Sequence, residues 1–200
     1  MEPIRELIAV DLEMTGLQVK TDRILEIGAV RLVDGQLRDT FQTFVNPHRR
    51  IDARITELTG IRPEMVENAP EAEEALQKFL EFAGEAPFLG HNVIFDYSFL
   101  KQCAVNHKIS LERSALDTLK IARKVLKEPE KKSLEALCGY FQIDREHAHR
   151  AVDDAKATAE LFLMLQQKYQ QQEPGLFVPK PLHYKVKKAG TADSGTKKET

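Results

Sequence analysis

Asp11 and Glu13 stand in the most apolar stretch of the chain, Leu7-Ile-Ala-Val-Asp-Leu-Glu13. Residues two apart in a strand project to the same face, so these carboxylates lie side by side where a structural strand would carry aliphatic groups. A third acid, Asp96, falls in the first turn of a helix that follows Gly90-His-Asn-Val-Ile-Phe-Asp96. The fourth region is His147-Ala-His-Arg-Ala-Val-Asp-Asp154. The helix there buries a stripe of Ala151, Ala155, Ala159, Phe162, Leu165 and Tyr169. At helical spacing Asp154 lies roughly 60° from the centre of that stripe and Asp153 roughly 160°. Asp154 therefore faces inward, Asp153 faces solvent, and His149 at the helix start shares the neighbourhood of Asp154.

Four inward carboxylates from three elements oppose folding unless something cancels them. Two like charges about 4 Å apart repel by roughly 1 kcal/mol in water and roughly 4 kcal/mol near a protein surface. A pair of divalent cations is the simplest cancellation, and oxygen ligands suit hard Mg²⁺ or Mn²⁺ better than zinc. Two such ions can activate a water and stabilise a leaving oxygen in phosphoryl transfer, with a histidine as general base.

The elements that must position these groups are legible. Leu7 to Glu13 is a buried strand closed by Thr15-Gly16, Ile24 to Val33 a second, and Asp34-Gly35 a hairpin turn into a third, Leu37 to Val45. Helices are expected at Asp52 to Leu58, Pro70 to Ala83, Ile94 to Asn106, 118–127, 133–141 with Ser133 as N-cap, and about 149–171. Short strands are expected at Ala86 to Gly90 and, as a final edge strand, at Ser114 to Asp117. A strand meander followed by strand–helix alternation makes an α/β domain with a mixed sheet and helices packed on it.

Asp11-x-Glu13-x-Thr15-Gly16, His91-Asn92-x-x-Phe95-Asp96 and His149-x-Ala151-x-x-Asp154 together resemble the three motifs of the DEDDh 3′–5′ exonucleases, in order and spacing. The resemblance covers about residues 5–170. It includes Ile55-Thr-Glu-Leu-Thr-Gly-Ile61, similar to the proofreading branch: the epsilon subunit of bacterial DNA polymerase III and the exonuclease domain of its Gram-positive polymerase. The resemblance implies a ribonuclease H-like fold with a five-stranded mixed sheet. It implies that Asp11, Glu13, Asp96 and Asp154 bind two metal ions and that His149 deprotonates the attacking water. Met14, Thr15 and Gly16 would hold the terminal nucleotide, with His91, Asn92 and Phe95 close to the substrate strand. Met14 replaces the Thr commonest there in the family, a change expected to affect substrate fit more than chemistry. The implied activity is release of nucleoside monophosphates from single-stranded 3′ ends. DNA is favoured over the RNA of ribonuclease T or oligoribonuclease, and a polymerase-docking accessory role is the alternative of another class.

Composition agrees with one core-forming domain: 42% of the 200 residues are apolar and 30% charged. Lys+Arg number 29 against 31 Asp+Glu, a net of −2. The charge is split. From Pro174 onward six Lys face Asp193 and Glu199, a net of +4, which leaves −6 on residues 1–173. Residues 1–173 are thus expected to form the exonuclease domain and 174–200 a basic, flexible tail without a core of its own. The Leu176-Phe177-Val178 cluster leaves open that the tail docks on a polymerase subunit. Cys103 and Cys138 sit among apolar helical residues and read as buried thiols. No signal or membrane segment is visible at the N-terminus, so a cytoplasmic setting is expected. Glu26, among aliphatics of the second strand, reads as a hydrogen-bonded structural acid and not as a fifth ligand. His147 is out of register with the Asp154 motif.

Overall fold

In the computed structural model, residues 5–145 and 148–186 are described. The chain opens with β1 (Glu6–Met14), β2 (Ile24–Val33) and β3 (Gln36–Phe44), an antiparallel meander. Three helices follow, α1 (Ala53–Thr59), α2 (Pro63–Val66) and α3 (Ala72–Ala83), then β4 (Phe88–Gly90), α4 (Ile94–Asn106) and β5 (Ser114–Asp117). The rest is helical: α5 (Thr118–Val125), α6 (Leu134–Phe141) and α7 (Ala151–Tyr169). A two-residue β6 (Lys180–Pro181) comes last. The short α2, opened by Pro63 at its first turn, carries too few residues to show a period and was not expected from the sequence.

The sheet runs β3-β2-β1-β4-β5-β6, with β1, β4 and β5 parallel to one another. Six strands replace the expected five, and β5 is not the final edge. Lys180–Pro181 pairs antiparallel with Ser114 and Ala115, and the Leu182 amide donates to the Arg113 carbonyl at 2.8 Å. An open strand edge offers unpaired backbone groups, and Pro181 is tolerated there because an outermost strand needs no second donor.

This pairing corrects the expectation of a flexible tail from residue 174. Pro174–Phe177 forms a 3-10 turn, Phe177 is buried against Phe162 with ring centroids 6.0 Å apart, and Leu182 is buried in the core. The folded body therefore reaches at least Leu182. Phe177 is consumed by the chain's own core, so the Leu176-Phe177-Val178 cluster is not a free apolar patch. His147 and the lysines at 187, 188, 197 and 198 lie outside the described residues.

Alternation along β1 and β2 feeds two cores. Ile8, Val10, Leu12, Ile27 and Ala29 meet α3 and α4, whereas Leu7, Ala9, Val30 and Leu32 meet α5, α6 and α7. Asp11 and Glu13 continue the second of these faces, paired across the ladder with Gly28 and Glu26. The pairing of β1 to β4 covers only Ile8–Ala9, so Asp11 and Glu13 lie beyond it, at the carboxyl end of the parallel strands. Such an end is where open α/β sheets leave a crevice for ligands.

Gly28 sets how closely α7 approaches this crevice. A Cβ there would stand 2.1 Å from the Val152 nitrogen and 2.2 Å from the Ala151 carbonyl carbon. Both are backbone atoms at the start of a helix and cannot rotate away. Gly28→Ala is expected to cost about 2–3 kcal/mol by overpacking, a fall in melting temperature of roughly 4–12 °C. Calorimetry reads this directly, and the displaced start of α7 should lower turnover as well.

Candidate active site

β1 brings Asp11 and Glu13 to the crevice, the first turn of α4 brings Asp96, and the first turn of α7 brings Asp154. Glu13, Asp96 and Asp154 are buried, and Asp11 is partly exposed. One ligand atom from each of Glu13, His149 and Asp154 lies within 4.8 Å of the others. His149 is exposed and has φ 63°, a left-handed conformation uncommon for a residue with a Cβ. Asp153, by contrast, points away and pairs with Lys156 at 3.3 Å.

Three of the four acids, Asp11, Glu13 and Asp96, are held above the ordinary carboxylate range. Burial, then the charges of Asp96, Glu13 and Asp154, push the Asp11 carboxyl well above the usual range. Burial, helped by Asp154, Glu26 and Asp96, pushes Glu13 up to about 8. Burial raises Asp96 to about 7 against the backbone amides of Asp96 and Leu12. Carboxylates held this far from their ordinary values mark a site that gains from added positive charge. The donor set, carboxylate oxygens with one imidazole, fits hard divalent cations, and the grouping of Glu13, His149 and Asp154 places three donors around one point.

Arg145 supplies part of the missing charge. Its Nη2 and Nε donate to Asp154 Oδ1 at 2.5 and 3.1 Å, and it opposes the rise at Asp11. A cation ligated by Asp154 would compete with this guanidinium. Arg145 lies in the irregular stretch between α6 and α7, where no periodicity marks a residue as inward-facing, so its role had no signature in the sequence.

A second charge pair anchors the start of α7. Glu26, fully buried, accepts from Arg150 Nη2 at 2.9 Å and Nε at 3.2 Å, from the Ala151 amide at 3.2 Å and from Gln42 Nε2 at 2.5 Å. Arg150 also lies over the Phe44 ring, 5.4 Å from its centroid. Glu26 is thus the satisfied structural acid expected, and it fixes the residue that follows His149.

The remaining expected site residues are near but mostly committed to protein partners. The Thr15 hydroxyl accepts from the Arg23 amide at 3.0 Å and donates to Asp22 at 3.4 Å. A Cβ on Gly16 would collide with the Asp22 carboxylate at 2.4 Å, so both residues shape the 15–23 loop. Burial lowers the His91 pKa, and the ring donates from Nε2 to the Lys132 carbonyl at 2.8 Å, with Nδ1 2.9 Å from the Thr118 hydroxyl. Asn92 is exposed at φ 68°, its amide donating to Asp117 Oδ1 at 3.1 Å. Met14 and Phe95 are half-buried, with Phe95 edge-on to Phe99. Besides Arg145, two residues here were not singled out from the sequence. Leu17 is 76% exposed on the loop after β1. Asp117 caps α5 through the Leu119 and Lys120 amides while holding Asn92.

Comparison with known proteins places this geometry. A family model described as an exonuclease, RNase T, matches residues 8–162. The DNA polymerase III PolC-type of Caldanaerobacter subterraneus subsp. tengcongensis is 45% identical over 166 residues, 83% of this chain and 12% of that protein. The Bacillus subtilis PolC-type enzyme is 36% identical over 161 residues, 79% of this chain and 11% of that protein. The chain thus spans about a tenth of the length of these relatives. Exonuclease X in complex with 5′ overhanging duplex DNA shares the fold with a TM-score of 0.70 at 24% identity, covering 86% of this chain and 99% of that one. The nuclease domain of 3′hExo, a DEDDh family member bound to rAMP, gives 0.73 at 20% identity, covering 83% and 94%. With its acids and histidine in DEDDh order, the chain belongs to the RNase T exonuclease family.

Proposed function

We propose that this chain is a metal-dependent 3′–5′ exonuclease that releases nucleoside monophosphates from single-stranded DNA ends. The carrying observation is the convergence of Asp11, Glu13, Asp96 and Asp154 at one end of the sheet, with His149 within ligand distance of Glu13 and Asp154. DNA is favoured because the relatives at 45% and 36% identity are DNA polymerases.

Asp11, Glu13, Asp96 and Asp154 would hold two divalent cations, Mg²⁺ or Mn²⁺. When bound, these ions would acidify a water and stabilise the departing 3′-oxygen. His149, exposed and free to reach solvent, would take the proton of that water, its backbone steadied by the Arg150–Glu26 pair beside it. Met14 and Phe95 would meet the terminal nucleotide through apolar contact. Thr15, Gly16, His91 and Asn92 would shape its surroundings from their protein-bonded positions.

The test uses 5′-labelled DNA and RNA strands of one sequence with Mg²⁺, Mn²⁺ or EDTA. A ladder shortening from the 3′ end, faster on DNA, abolished by EDTA and reduced about 10²–10⁴-fold in His149→Ala, is the expected result. A faster RNA ladder would reassign the substrate. The absence of any ladder from folded protein would overturn the enzyme reading.

A further inference from the structure

The −6 charge of residues 1–173 conceals a cationic stretch beside the site. Between residues 118 and 133 stand six Lys and Arg against two Glu, a net of +4. α5 is amphipathic: Thr118, Ile121 and Ala122 are buried, whereas Lys120, Arg123 and Lys124 are exposed. At 100° per residue those three cations fall within an arc of about 100°. Lys127 and Lys131 extend the exposed charge along the connection to α6. Lys120 is 3.6 Å from Asp117, but Arg123, Lys124, Lys127 and Lys131 have no carboxylate partner among the described residues. Elsewhere Arg49, Arg62, Lys78, Lys101 and Arg113 each pair with one and Arg31 with two. Arg38, Arg50, Arg54, Lys108 and Lys168 have none among the described residues, but they do not line the cleft beside His91 and Asn92.

Two cations of the 118–133 stretch, Arg123 and Lys131, line this cleft of about 780 Å³ with His91, Asn92, Lys132 and Ser133, and Glu130 is its single lining acid among the described residues. His91 and Asn92 are also the residues that lead into α4 and Asp96, so cleft and carboxylate site share a wall. The wall is built, not incidental. The His91 ring bonds the Lys132 carbonyl, and the Lys132 ammonium folds back onto the Lys127 and Pro129 carbonyls, which fixes the segment carrying Lys131.

We infer that this cleft receives the phosphodiester backbone of the substrate strand behind its 3′-terminal nucleotide. The inference rests on the exonuclease reading and says where the rest of the polymer lies. An acidic centre repels a polyanion, and unpaired cations along one exit supply attraction without neutralising the metal ligands. Because the cations flank the exit and not the reacting bond, they act on affinity for longer strands and not on the chemical step.

The experiment compares wild type, Arg123→Gln/Lys131→Gln and a charge-matched control, Lys108→Gln/Lys168→Gln, whose residues are exposed just past the end of α4 and in the last turn of α7. Two substrates are used: a 12-nucleotide DNA strand, and the p-nitrophenyl ester of thymidine 5′-monophosphate, which has nothing behind the scissile bond. The cleft variant should raise KM for the 12-mer about tenfold and flatten its log KM against log salt slope by about 0.7 for each phosphate no longer neutralised. Its kcat/KM on the ester should equal wild type, and the control should match wild type on both. Equal KM and slope for all three proteins would overturn the inference, as would an equal fall in kcat/KM on ester and 12-mer. Wild type inactive on both substrates would overturn the exonuclease reading. Fluorescence anisotropy of a labelled 12-mer then still decides the cleft: weaker binding by the variant supports it, and equal binding overturns it.

Discussion

Replacing Asp11 by Asn is expected to abolish turnover while making the metal-free protein more stable. Burial, and then the charges of Asp96, Glu13 and Asp154, oppose the ionised form of Asp11. An amide of the same shape removes one of four converging charges, leaves the ladder pairing with Gly28 intact and can donate to the neighbouring carboxylates. The relief should be about 1–2 kcal/mol, a rise in melting temperature of roughly 2–8 °C for a chain of this size. Activity moves the other way. Loss of an oxygen ligand from the cation site should cost about 10³-fold or more in kcat, equivalent to about 4 kcal/mol of transition-state stabilisation. Scanning calorimetry in EDTA at pH 8 and initial rates in Mn²⁺ read the two effects separately. Asp153→Asn, one residue from a proposed ligand but turned toward Lys156, serves as control and should shift the melting temperature by no more than about 2 °C and the rate by no more than about twofold. A destabilised Asp11→Asn protein, or one that still turns over, would contradict the assignment.

The opposition of stability and activity at this position explains why the site was visible from the chain alone. Acids in an apolar strand violate the pattern that folds the strand, and such violations collect at functional sites. Asp11 and Glu13 broke the alternation of β1, and helical spacing separated Asp154 from Asp153. Glu26 broke the pattern too, yet for a structural reason: Arg150, Gln42 and the Ala151 amide satisfy it completely. The consequence of Gly28 was latent, because a glycine inside a β-branched strand signals a close backbone approach without naming what approaches. Arg145 left no trace, since it sits where no period distinguishes inside from outside. β6 was missed because two residues cannot show alternation, and Pro181 argues against a strand except at an edge. The composition of 174–200 suggested a tail, but two apolar anchors, Phe177 and Leu182, were enough to bind its first part to the body.

The same strained acids give the metal-free protein an unusual pH dependence. A carboxyl whose pKa is raised by folding holds its proton in the native state at pH values where the unfolded chain has released it. Stability from such a group is present below the unfolded value near 4 and is lost as pH rises toward the folded value. Glu13 at about 8 and Asp96 at about 7, with Asp11 shifted the same way, place that loss between about pH 4 and 8. Each proton involved contributes up to about 1.4 kcal/mol per pH unit, and the coupling among the three acids makes the total smaller than their sum. In EDTA the melting temperature should therefore fall by roughly 10 °C from pH 5 to pH 8, at about 2–4 °C per kcal/mol. Added Mn²⁺ should reverse the trend, because the ligands must be deprotonated to bind and affinity grows as pH rises. Asp11→Asn should flatten the EDTA profile and weaken the rescue, since it removes both a strained proton and a ligand. Parallel profiles with and without Mn²⁺ would mean that these carboxylates do not share a cation, and the two-ion mechanism would fall with them.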